Sequence, residues 1–296
     1  MSFTNIETSF VQNYGRNVQM MAQQMGSKLR DKVLVENPTG ERHYFELYNT
    51  NAAMQEVTVR HGDVNITDTQ FERRAVDLVD YEDAKLISNF DKIKMLADPM
   101  SPVVQAQAAQ MGRQIDDLII AAAYADMLTG KSGGTAVSPQ TAIAIDSWAY
   151  GTGSGNSNLT ISKLIEAAAL FDNADVPMED RVAVVDPINH AKLLATAEAT
   201  SSDFVTKRSL ETGEVEGLVG FEIIKSTRLG VDGSGYKRCF AFQKTGMGLA
   251  IGMDATSRIT ERDDKSGYPW QAYVALSMGA TRLENSKVVE IKCLAS

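Results

Sequence analysis

Ala125-Asp-Met-Leu-Thr-Gly-Lys-Ser comes closest in this chain to a chemical signature. It follows the phosphate-loop pattern G-x-x-x-x-G-K-[ST] with alanine at the first glycine, which would make Gly130, Lys131 and Ser132 a cradle for nucleotide phosphates. A phosphate loop must leave a strand and open a helix, so that backbone amides at the helix start face the anion. Here the pattern closes a long helical repeat and runs into Gly133-Gly134, which favours a helix stop and a loop. A nucleotide-hydrolysing enzyme using Gly130-Lys131-Ser132 stands as the alternative from a different functional class. Gly151-Thr-Gly-Ser-Gly also precedes a helix, but it lacks a suitable strand before it and an acidic residue at dinucleotide spacing after it.

The other reactive side chains are dispersed. His43, His61 and His190 are far apart and share no metal-ligand spacing. Cys239 and Cys293 form no C-x-x-C and have no neighbouring histidine, so both are expected to be buried apolar residues in a reducing compartment. No G-x-S-x-G elbow activates a serine. Asp80-Tyr-Glu-Asp and Glu261-Arg-Asp-Asp read as solvated acidic faces. The expectation is no catalytic residue, no cofactor and no metal.

The 296 residues have the apolar fraction of a globular protein and a net charge of −9. That charge argues against a protein whose task is to grip phosphates, because such binding rests on Lys and Arg. The first residues lack the basic and apolar regions of a secretion signal, and no stretch stays uncharged for the ~20 residues of a membrane span.

Helical and extended patterns alternate irregularly along the chain. Residues 1–40 carry only weak helical spacing through Val11, Val18, Met21, Met25 and Leu29, and read as an arm. Strand-like runs follow at His43–Tyr48 and Glu56–Arg60, around a polar Asn49–Ala53 tip, then at Phe71–Tyr81. A long helix is expected at about 102–128, with Ser101 as cap, Pro102 in the first turn and Gly130 as stop. Its apolar stripe is Val104, Ala108, Met111, Ile115, Leu118, Ala122 and Ala125, while Arg113, Asp116 and Asp117 exclude a membrane span.

Beyond the loop-rich 129–158 region, Thr160 or Asn158 caps a helix over Ile161–Asp172. Arg181–Asp186 is a buried strand stopped by Pro187, and Asn189–Glu198 is a short helix. Later strands are expected at 220–225, 239–242, 248–251, 273–278 and 288–292. Without a steady βαβ alternation, the fold class is α+β.

This order of elements resembles the Hong Kong 97-type major capsid proteins of tailed bacteriophages. The resemblance rests on Arg73-Arg-Ala-Val-Asp-Leu-Val-Asp-Tyr-Glu-Asp-Ala-Lys-Leu leading towards the long helix, and on Arg181-Val-Ala-Val-Val-Asp-Pro-Ile-Asn-His-Ala-Lys-Leu-Leu. Leu218-Val-Gly-Phe-Glu-Ile-Ile-Lys and Ala280-Thr-Arg-Leu-Glu-Asn-Ser-Lys-Val-Val-Glu-Ile are similar to later parts of the same pattern. It implies an N-terminal arm at 1–40, an extended loop at 41–82, a peripheral domain with a spine helix at 83–135 and 252–296, and an axial domain at 136–251.

The same resemblance implies self-assembly through hexamers and pentamers into an icosahedral shell, part of the virion, enclosing double-stranded DNA without sequence-specific binding. A separate scaffolding protein, a portal and assembly in the host bacterial cytoplasm belong to that expectation. Contacts between copies are placed on Phe10, Met21 and Met25 of the arm and on Glu46, Glu56, Arg60, Arg73 and Arg74 of the loop. An encapsulin nanocompartment shell is the alternative within the same fold.

Overall fold

A computed structural model describes residues 24–49, 56, 70–88, 100–139, 141–195 and 217–295. In chain order the strands are β1 Leu34–Glu36, β2 Arg42–Asn49, β3 Gln70–Asp77, β4 Val79–Ile87, β5 Met127–Thr129, β6 Thr135–Val137 and β7 Ala142–Ile143, then β8 Arg181–Val185, β9 Gly217–Leu218, β10 Phe221–Lys225, β11 Lys237–Gln243, β12 Met247–Glu261, β13 Trp270–Arg282 and β14 Val288–Cys293. The helices are α1 Met100–Tyr124, α2 Ile161–Asn173 and α3 Pro187–Leu194. Mixed helix and sheet, in three sheets, give the expected α+β class.

The largest sheet has the order β7-β14-β11-β8-β10-β9. Its centre, β8, is buried at all five residues, which is why Val182-Ala-Val-Val is a continuous apolar run rather than an alternating one, and the buried Arg181 ahead of it is hydrogen-bonded to the Pro177 and Val176 carbonyls and to Asp172. β10 runs parallel to β8 while β11 is antiparallel to both β8 and β14. Polar caps start the helices beside it: Thr160 Oγ1 accepts from the Lys163 amide, and Asp186 accepts from the Ile188 amide with Pro187 in the first turn. The ammonium of Lys163, 0 % exposed, donates to the carbonyls of Ile145, Ser157 and Lys292 at 3.0, 3.1 and 2.7 Å, and burial lowers its pKa. It ties both ends of the 145–157 loop to β14.

A second sheet has the order β2-β3-β5-β6 and a third β1-β12-β13-β4. β2 pairs with β3 from Arg42↔Asp77 to Asn49↔Gln70, so the partner of the first loop strand is the Phe71 run. Of the Glu56–Arg60 run only Glu56 lies within the described residues. The inward face of this hairpin supplies Phe45 and Val76 to a core with Ala250 and Leu283, against which Leu34, Leu47 and Leu78 pack.

The long helix differs from its expected limits and face. It ends at Tyr124 rather than Leu128, because Met127-Leu-Thr finds strand partners in β3 and β6. Arg282, 2 % exposed, closes its last turn by donating from Nη1 to the Ala123 carbonyl at 3.1 Å and from Nη2 to the Val137 carbonyl at 3.3 Å. A cation there also suits the negative end of the helix dipole. Ile115 and Ala122 of the expected stripe are buried, but Val104, Met111 and Leu118 are half-buried and Ala108 is exposed. The buried face is turned by about one residue, to Ala109, Ile115, Ile119 and Ala123. The hydrogen-bonded Asp116 occupies it, Gln107 is buried on the opposite side of the helix, and a hydrophobicity count assigns both to solvent.

Two compact units emerge. One comprises Met1–Ser27, Asp80–Arg113 and Met253–Leu276, and within it Gln107 Nε2 bridges Asp83 Oδ2 at 3.1 Å and the Ala272 carbonyl at 3.2 Å. The other comprises Lys28–Val79, Gln114–Gly252 and Ser277–Ser296 and holds the six-stranded sheet. Residues 28–36, expected in the arm, belong to this second unit: Leu29 and Val33 are buried, and β1 pairs in parallel with Gly248–Ala250 of β12.

Candidate functional site

The β2–β3 hairpin has two chemically different faces, as the two-residue period of a strand requires. Phe45, Arg74 and Val76 are buried on one face. On the other, Tyr48 and Phe71 stand 56 % and 67 % exposed with ring centroids 5.4 Å apart. Beside them Arg73 Nη2 meets Glu46 Oε1 at 2.7 Å, a cross-strand pair in direct register. An open groove lined by Glu46, Phe71, Glu72, Arg73, Thr129, Gly130 and Lys131 continues this surface onto β5.

Three devices hold the root of the hairpin. Arg74 donates from Nε to the Leu283 carbonyl at 2.9 Å, from Nη1 to Thr129 Oγ1 at 2.9 Å and from Nη2 to Glu72 at 2.6 Å. Arg42 forms a two-pronged pair with Asp77, whose carboxyl is held below its ordinary value chiefly by that hydrogen bond. The Gly130–Gly134 turn between β5 and β6 forms the third, with Gly130 and Gly133 at φ +95° and +68°. Arg42 Nη1 and Tyr44 Oη donate to the Ser132 carbonyl at 3.1 and 3.4 Å, and Gly133 lies so close to Ala75 that a side chain there would overlap it.

This placement corrects the nucleotide alternative. Gly130-Lys131-Ser132 is the turn of a two-stranded hairpin, and no helix N-terminus follows it to present amides to a phosphate. Among the described residues no group of three or more His, Cys, Asp or Glu is placed to hold a metal ion, and no helix is long and apolar enough to cross a membrane. Cys239 and Cys293 are both buried, and a shared hydrogen bond followed by burial holds the Cys293 thiol well above its ordinary pKa. That is the environment of an inert thiol.

The family model described as phage capsid protein matches residues 6–295. The chain belongs to that family. Solved capsid structures share the fold of this capsid protein from end to end. The capsid of cyanophage P-SCSP1u is similar at 18 % identity and a TM-score of 0.76, over 98 % of this chain and 95 % of that one. The cyanophage Pam1 capsid is similar at 13 % and 0.70, over 98 % of each chain. That of Helicobacter pylori bacteriophage KHP30 is similar at 11 % and 0.69, over 99 % and 98 %. No curated protein sequence matches the chain. These findings support a shell-forming major capsid protein and give no support to the encapsulin or nucleotide-hydrolysing alternatives.

The capsid protein places its expected contact residues unequally. Glu46 and Arg73 come together on the open face, Met25 is 62 % exposed and Glu56 is exposed. Arg74 is 7 % exposed and directs its guanidinium to partners in its own chain, which a basic residue beside Arg73 in an alternating run does not announce. Phe10, Met21 and Arg60 lie outside the described residues. Sequence reasoning missed Asp116, Lys163 and Arg282 as anchoring groups. For Asp116 a signal existed, since an acid between Ile115 and Ile119 interrupts an otherwise apolar face.

Proposed function

We propose that this capsid protein closes an icosahedral shell of pentamers and hexamers around double-stranded DNA, with the β2–β3 hairpin as the extended loop that joins neighbouring copies. The observation that carries this reading is the hairpin's outer face: a fixed root, yet an exposed Tyr48–Phe71 pair and a mixed-charge Glu46–Arg73 pair left open by the described residues of their own chain. An exposed aromatic pair rimmed by charges is the composition of a contact surface. Residues ahead of the anchored 28–36 segment act as the arm, 41–82 as the loop, 83–135 and 252–296 as the peripheral domain and 136–251 as the axial domain. The net charge of −9 suits a wall that encloses DNA without gripping it.

Assembly proceeds in the host bacterial cytoplasm with a separate scaffolding protein and a portal, and the subunit performs no catalysis. Deletion of Asn49 to Gln55, the polar stretch expected at the loop tip, tests the loop role. The expected product is a folded subunit by circular dichroism that sediments without closed shells, since one lost contact repeats at every copy of a symmetric lattice. Shells like the parent's contradict the loop role, and an unfolded subunit means that the hairpin tip serves the subunit's own core.

A further inference from the structure

Asp116 sits on α1 at 1 % exposure, and its two carboxylate oxygens accept from the backbone amide of Lys28, each at 3.1 Å. The amide of Leu29 donates to Oδ1 at 3.1 Å as well. A buried carboxylate holding two successive backbone amides is a charge-assisted clamp on the main chain, independent of which side chains follow. Further contacts secure the same segment: Lys28 Nζ donates to the Lys225 carbonyl at 2.8 Å, Lys32 pairs with Glu222 at 2.7 Å, and Leu29 is completely buried. Just ahead, Gly26 has φ +78°, and a side chain at Gly112 would overlap its backbone.

We infer that Asp116 is the positioning residue of the amino-terminal segment, fixing the point at which the chain leaves the body of the subunit. Lys28 and Leu29 are held to α1 by this carboxylate, and the proposed arm would start ahead of that fixed point. This rests on the arm role proposed above. Gly26 and Gly112 supply the close passage, and the carboxylate supplies the lock.

Hydrogen exchange on the full-length unassembled subunit reads the lock directly. Asp116→Asn removes the charge and turns one acceptor into a donor facing an amide, so the Lys28 and Leu29 amides should exchange at least tenfold faster. Asp117→Asn, which disturbs the neighbouring Arg228 pair on the same turn, should leave those two amides slow. Closed shells counted by electron microscopy should fall for Asp116→Asn and not for Asp117→Asn. Unchanged exchange in Asp116→Asn, or equal acceleration in both variants, overturns the lock. Accelerated exchange with a normal yield of shells overturns the positioning role, while the loop-tip deletion still judges the assembly reading separately. Should Asp116→Asn fail to fold, Lys28→Pro deletes one donor and leaves the helix intact; a normal yield of shells from that variant overturns the inference, and a fall in yield supports it.

Discussion

Arg74→Met separates two roles that an arginine at the root of the loop can have. Methionine keeps most of the apolar stem and removes the guanidinium, which leaves the Leu283 carbonyl without its Arg74 donor in a residue that is 1 % exposed. A buried acceptor left unpaired costs about 1–3 kcal/mol. Losing the bond to half-buried Thr129 adds roughly 0.5–1.5 kcal/mol, and the pair with the 47 %-exposed Glu72 adds about 0–1 kcal/mol. The expected loss is therefore roughly 1.5–5.5 kcal/mol, read as a lower urea midpoint of the unassembled subunit with an unchanged slope. Arg74→Lys should recover only part of it, because an ammonium cannot reach three acceptors in the fork geometry of a guanidinium. If Arg74→Met unfolds like the parent but makes no shells, Arg74 is a contact between copies, and the account of the root is wrong.

On α1, Ile115→Ala and Ile119→Ala should each cost about 2–5 kcal/mol, and Leu118→Ala clearly less, by thermal or urea unfolding; equal losses at all three positions would refute the turned face. Lys131→Ala should leave folding and particle formation unchanged, because Lys131 sits on an exposed hairpin turn, whereas a nucleotide-dependent activity abolished by it would revive the phosphate-loop reading. In the β12–β13 connection, the bidentate pair with Arg262 holds the Asp264 carboxyl at about 2. Its folded value is depressed, so its contribution is complete above the ordinary 3.8 and disappears as pH falls through about 2. Carboxyl resonances followed by NMR should show that low midpoint, and a titration at the ordinary value would show that the pair does not form.

Much of this architecture is legible because local chemistry and tertiary context agree. Arg181-Val-Ala-Val-Val followed by Asp-Pro could be little other than a buried strand, a cap and a helix start, and Thr160 marks the start of α2 equally well. The misplacements occur where a partner distant in sequence decides. Met127-Leu-Thr continues the helical spacing of α1, yet β3 and β6 offer it a ladder worth more than one further turn. β12 was expected only over its apolar 248–251 core, although it extends to Glu261 through exposed residues that carry no burial pattern. Lys163 and Arg282 look like surface cations; each is instead surrounded by carbonyls brought in from other segments, and composition cannot report such neighbours. On the contact face, the cross-strand register of Glu46 with Arg73 follows once β3 is the partner of β2, and the alternation alone does not name that partner.

Whether copies of this chain close into a shell is decided by electron microscopy of the purified full-length protein, produced alone and together with the separate scaffolding protein proposed above. The expected result is closed, icosahedrally symmetric particles whose reconstruction places the Tyr48–Phe71 face of each hairpin against a neighbouring copy. A protein that remains monomeric under both conditions, or closed particles in which that face lies bare to solvent, would contradict it.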